Sequence, residues 1–70
     1  MYDKEIDELA CIFFKKLSED GLKKVYRENM GQYKNSVLIG NGAEYPIRTF
    51  YIRKEAARIA AEWKGVDLSD

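Results

Sequence analysis

Histidine is absent from this chain, and cysteine occurs once, as Cys11. Without histidine, neither a Ser-His-Asp nor a Cys-His nucleophile can be assembled from these residues. A zinc site of the usual kind needs several Cys or His ligands, and one thiol cannot supply them. No disulfide can close within the chain, which suits a reducing, cytoplasmic setting. The longest apolar run, Leu9 to Phe14, is too short for a membrane span. The acidic start does not read as a signal peptide. Glu28, Glu44, Glu55 and Glu62 are scattered, and no spacing pairs them as an acid and a base. The expectation is a single small domain over residues 1–70 that is not an enzyme, with no metal, no cofactor and no membrane contact.

What is present is the material of a globular domain. Of the 70 residues, 46% are apolar and 34% charged, a balance that folds rather than staying disordered. A chain this short buries only about 60% of its unfolded surface. Its five Tyr, three Phe and one Trp are therefore needed as anchors. Pairing with a second copy, a homodimer, would add buried area. Net charge is zero, but the charge is segregated. Residues 1–14 hold four acids and one Lys, net −3; residues 15–64 hold eleven Lys/Arg and six acids, net +5; residues 65–70 hold two acids, net −2. A basic middle is compatible with an anionic partner.

Periodicity divides the chain into elements. Residues 3–17 read as a helix, with Ile6, Leu9, Ala10, Phe13 and Leu17 on one stripe. Acids crowd its start and Lys15 and Lys16 its end, complementing the helix dipole. Ile12 and Phe14 widen the apolar surface, so the helix is buried on two sides or partly faces a partner. Cys11 reads as a small core residue. Ser18 is a candidate N-cap of a second helix, although Gly21 weakens that start and points to an alternative one nearer Leu22; Gly31 would stop the helix. A short connection implies that these two helices pack as a pair. Residues 37–39 read as a strand, Gly40-Asn41-Gly42 as a hairpin turn, and residues 44–51 as the return strand with Pro46 at an edge. Residues 53–64 read as a last helix, with Ile52, Ala56, Ile59, Ala60 and Trp63 buried and Gly65 closing it. Tyr45, Phe50, Tyr51 and Trp63 read as core. Residues 66–70 are expected to fray.

The fold class expected from this order is α+β, helix-helix-hairpin-helix (ααββα), like a winged helix-turn-helix. In such a fold the second helix enters the DNA major groove and the hairpin touches the backbone or minor groove. The expected DNA-binding residues are Lys23, Lys24 and Arg27 on the helix, Lys34 and Asn35 behind it, Asn41 and Arg48 on the wing, and Arg53 at the strand-helix junction.

The runs "LSEDGLKKVYREN", "NSVLIGNG" and "IRKEAARIA" together resemble the small excisionases of conjugative transposons. The resemblance covers roughly residues 9–60. It implies a winged-helix, DNA-bending accessory factor of a mobile element that directs a recombinase towards excision. Under it, Lys23, Lys24 and Arg27 match the basic positions of the recognition helix, and Asn41 and Gly42 match the wing turn. The first helix, "EIDELACIFF", is longer and more apolar than the family pattern, and the chain is neutral where excisionases are basic. The alternative is a small protein-interaction module encoded by a phage or mobile element, an inhibitor or adaptor. It rests on the zero net charge, the extra apolar residues of the first helix and the Ala-rich last helix.

Overall fold

A computed structural model of the chain describes residues 3–39 and 44–68. The described residues form an all-α fold of three helices: α1 (Asp3–Lys16), α2 (Glu19–Ile39) and α3 (Glu44–Lys64). No strand occurs among them. The α+β reading, with its winged helix-turn-helix, is therefore corrected to an all-helical one. Residues 37–39 are the last turn of α2, and residues 44–51 are the first half of α3. Of the Gly40-Asn41-Gly42 turn, all three residues lie outside the described segments.

The physical reason for the misreading is a double periodicity. Tyr45, Ile47, Thr49 and Tyr51 alternate like a strand. Ile47, Phe50, Tyr51 and Lys54, however, sit at i, i+3, i+4 and i+7, and Ala57 and Ala61 continue that series. Extending a helix that already exists costs little, because each added residue gains one hydrogen bond. A lone two-stranded hairpin is only marginally stable. Pro46 does not oppose the helix, because it falls in the first turn, where the missing N–H has no intrahelical acceptor. Gly31 fails as a stop for a related reason. Tyr33 and Ser36, beyond it, are half-buried and buried, so continuing α2 gains more packing than one exposed glycine loses.

Both local signals at the other helix ends hold. The Gly21 amide donates to Ser18 Oγ at 3.1 Å, so Ser18 caps α2. Gly65 has φ +72°, its amide donates to the Glu62 carbonyl at 3.1 Å, and the Val66 amide donates to the Ala61 carbonyl at 2.8 Å. That pair of bonds is a Schellman ending.

Helix α3 is the centre of the fold. It packs against both α1 and α2, so the expected close pairing of the first two helices is replaced by two separate contacts with the third. Ala56, Ala57, Ala60 and Ala61 are all 0% exposed. Ile6 and Ala10 of α1 pack with Ala56, flanked by Leu9, Phe13, Tyr51, Ile52 and Ile59. Leu22 of α2 packs with Ala60 and Ala61, flanked by Phe13, Leu17, Val66 and Leu68. Val66 and Leu68 are thus held against the core rather than frayed. Two other expectations change: Cys11 is exposed, and Trp63 is 50% exposed although it sits on the expected buried stripe.

Two glycine substitutions separate this fold from the winged one. A Cβ at Gly31 would meet nothing within 4 Å, so Gly31→Ala should stabilise α2 by up to about 1 kcal/mol. In a chain of this size that raises Tm by roughly 4–8 °C. If α2 ended at Gly31, the same change would lower Tm. Gly65→Ala should destabilise by about 1 kcal/mol, because the +72° φ is strained for any residue with a Cβ. Thermal unfolding followed by circular dichroism reads both signs.

Candidate binding surfaces

Three of the eight expected DNA-binding residues come together. Lys23, Arg27 and Lys34 lie at i, i+4 and i+11, on one side of α2. With Tyr26, Met30 and Gly31 of α2, and Leu68 of the C-terminal segment, they line an open groove of about 270 Å³. No acid is among these seven residues. Lys34 joins the set only because α2 runs through Gly31; a helix stopped there would have left it in a loop.

The other expected residues go elsewhere. Lys24 and Asn35 are exposed on α2 but do not line the groove. Asn41 lies outside the described residues. Arg48 is part of α3, not of a wing, and its guanidinium donates to Glu5 Oε1 at 2.9 Å. That pair ties α3 to α1, but both side chains are about half exposed, so it adds little stability. Arg53 is exposed within α3 and marks no junction.

A second surface lies where α1 and α3 end together. The Phe14 and Trp63 rings meet edge to face, with centroids 6.0 Å apart and planes at 75°. Phe14 is 39% and Trp63 50% exposed. The Lys64 ammonium sits 5.3 Å from the centre of the Phe14 ring and donates to the Leu17 carbonyl at 3.0 Å. It thereby satisfies a carbonyl just past the end of α1 and fixes the two helix ends together. Sequence reasoning flagged Phe14 as excess to the core stripe. It placed Trp63 inside, because a helical wheel does not show that a helix's last turn has less to pack against.

A third cluster was not foreseen. Lys54 is buried, yet its ammonium lies 5.0 Å from the Tyr33 ring centre and 4.6 Å from that of Tyr51. It donates to Glu55 Oε2 at 3.1 Å, and the Arg58 guanidinium reaches both Glu55 oxygens at 3.3 Å. Two ring faces and a carboxylate thus replace the water a buried ammonium loses. Burial alone would push the Glu55 carboxyl up. Hydrogen bonds from Arg58 and Lys54, with their charges, outweigh it and hold the carboxyl below its ordinary value. The same bond to Glu55 raises Arg58. The signal that could have revealed this cluster is Tyr51 with Lys54 at i+3, on the α2-facing side of a helix that the sequence reading had begun too late.

No group of three potential metal ligands occurs among the described residues. No helix of the described residues is long and apolar enough to cross a membrane. No family model, no curated protein and no solved structure matches this chain. The likeness to the excisionases therefore rests on the quoted residues alone.

The Glu55 cluster makes stability depend on pH. Its carboxyl pKa is lower folded than unfolded, so its contribution is complete above the unfolded value, about 4.3, and is lost as pH falls through the lowered folded value. Glu55→Gln should reduce stability at neutral pH by about 1 kcal/mol. It should also flatten the fall of Tm between neutral pH and the acid range. Melting curves of both proteins across that range check this; parallel curves would mean that Glu55 is not held by Lys54 and Arg58.

Proposed function

We propose that this protein is a small, all-helical protein-interaction module that presents the Phe14–Trp63 edge to a partner protein. The observation that carries the reading is where the bulky apolar groups sit. Among the described residues, the fully buried positions of the core are filled by alanines and one large side chain, Leu22. Meanwhile an edge-to-face Phe–Trp pair stands at the surface. Aromatic residues at the centre of an apolar patch are the usual energetic anchors of protein interfaces. Here Lys64, over the Phe14 ring, puts a cation at the border of the patch. The partner that fits is a protein with an apolar pocket bordered by carboxylates.

The duplex-DNA reading drew its geometry from a recognition helix backed by a wing. In the helical fold, Arg48 and Arg53 belong to α3 and do not extend the basic side of α2. The zero net charge gives no long-range attraction to a polyanion. An adaptor or inhibitor role, with a protein rather than a nucleic acid as its target, asks for neither. A cytoplasmic setting suits the exposed single thiol of Cys11, which is safe only where disulfide exchange is suppressed.

Trp63 is the only tryptophan, so its fluorescence reports on this edge directly. In the free protein the emission should be that of a water-exposed indole. A tagged wild-type protein should capture a partner that Phe14→Glu and Trp63→Glu each lose, and the captured partner should shift the Trp63 emission to the blue. Circular dichroism should show all three proteins equally helical. A partner captured equally by wild type and both variants would remove the aromatic edge from the interface and refute the reading.

A further inference from the structure

The chain carries two sets of helix ends. Local signals end α2 at Gly31 and start the last helix at residue 53, yet α2 runs on to Ile39 and α3 begins at Glu44. The extensions, residues 32–39 and 44–51, differ from the segments they prolong. Ile47, Thr49, Phe50 and Tyr51 are modest intrinsic helix formers, whereas four alanines fall between residues 56 and 61. Every buried apolar side chain among the described residues lies outside the extensions. Within them, the described side chain that is buried is Ser36, a hydroxyl. The extensions meet through Tyr33 and Tyr51, whose ring centroids are 5.7 Å apart with planes at 49°. Lys54 sets its ammonium against both rings while keeping Glu55 as its ion-pair partner. Tyr51 also touches the border of the cluster around Ile6, Ala10 and Ala56, and Arg48 reaches Glu5 through an exposed, weak pair. Parting the rings would lose these contacts, but it would also return a buried ammonium to water, which offsets part of the loss.

We infer that residues 32–39 and 44–51 form one unit that opens and closes together, latched by Tyr33, Tyr51 and Lys54, while α1 and residues 19–30 and 52–64 stay folded. In the open form α2 stops at Gly31, the end that its glycine favours. The part that stays keeps the contacts of Ile6 and Ala10 with Ala56, and of Leu22 with Ala60 and Ala61. Opening is thus a sub-global step, distinct from unfolding of the whole chain. Lys34 belongs to the unit and Lys23 and Arg27 do not, so the α2 groove is complete only in the closed form. Anything that binds all three cations holds the latch shut. Phe14, Trp63 and Lys64 lie in the part that stays folded, so the aromatic edge survives opening, and each proposal can fail alone.

The test is native-state hydrogen exchange of the whole chain, read amide by amide by NMR. Amides of residues 33–36 and 48–51 should exchange about tenfold or more faster than the slowest amides of residues 25–30 and 56–63. The two fast stretches should share one dependence on denaturant, because they open in one step. Leu22→Val weakens a contact that the open form retains. It should speed exchange in residues 25–30 and 56–63 by about fivefold and leave residues 33–36 and 48–51 unchanged. Ala60→Gly loosens the same contact and should act in the same way. Tyr33→Ala removes a ring of the latch and should speed exchange in residues 33–36 and 48–51 by about tenfold or more. Three results overturn the inference. One is a single rate for all slow amides, with Leu22→Val and Ala60→Gly speeding every one of them equally, which is one cooperative unit. Another is different denaturant dependences for residues 33–36 and 48–51, which is independent fraying of two helix ends. The third is Tyr33→Ala leaving both stretches as slow as in the wild type, which removes the latch.

Discussion

Everything in this molecule follows from the alanine seam of α3. Ala56, Ala57, Ala60 and Ala61 span rather more than a third of the helix circumference, and none is reached by solvent. Side chains this small let another helix come close along the seam, near the lower end of the usual interaxial range. Alanine also gives up no side-chain entropy on folding and has the highest intrinsic helix propensity. One short helix can therefore serve as the common wall for two others, α1 through Ala56 and α2 through Ala60 and Ala61. A bulkier residue at any of these positions would push at least one flanking helix outward.

The same economy limits what the core can hold. Apolar burial scales with side-chain area, and four alanines provide little of it. The larger groups are pushed to the borders of the two contacts, where Leu9, Phe13, Tyr51, Ile52 and Ile59 are only partly covered. Beyond those borders Phe14, Trp63 and Ile12 remain substantially exposed. The exposed apolar surface is thus a consequence of how α3 packs, not a random surplus. It also explains two of the side-chain anchors that cross from α3. Lys64 reaches the Leu17 carbonyl and Lys54 lies between Tyr33 and Tyr51, each binding a neighbouring helix through polar or cation–π contacts where apolar contact is thin.

How far the sequence revealed this can be traced residue by residue. The α1 stripe, the Ser18 cap and the Gly65 stop were legible because each is a local device: a fixed periodicity, a side-chain acceptor for a free amide, a left-handed φ. Residues 37–39 and 44–52 were not. Their β-branched and aromatic side chains favour a strand locally, and the helix is chosen by packing against other elements, which overrides propensity. That one misreading propagated into the site. Arg48 and Arg53 were placed on a wing and a junction that do not exist among the described residues, while Lys54 went unnoticed and Glu55 was read as one of a scattered set of carboxylates. Lys23 and Arg27 survived because an i, i+4 pair shares a side of any helix, whatever the fold around it.

The exposed residues can be sorted by what water would otherwise do with them. Scattered exposed leucines or isoleucines need no explanation on a protein surface. An edge-to-face Phe–Trp pair does, because each ring limits the other's rotamers, so part of its ordering entropy is already spent in the free protein. Lys64 adds to that ordering by lying over the Phe14 ring while donating to the Leu17 carbonyl. The groove on α2 is ordered differently. Its cations are long, exposed side chains on a rigid helix, so their spacing is fixed while their tips are not. The aromatic edge is therefore the more fixed of the two surfaces, and the basic groove the more adjustable. One small helical frame carries both because α3 leaves the outer sides of α1 and α2 uncovered.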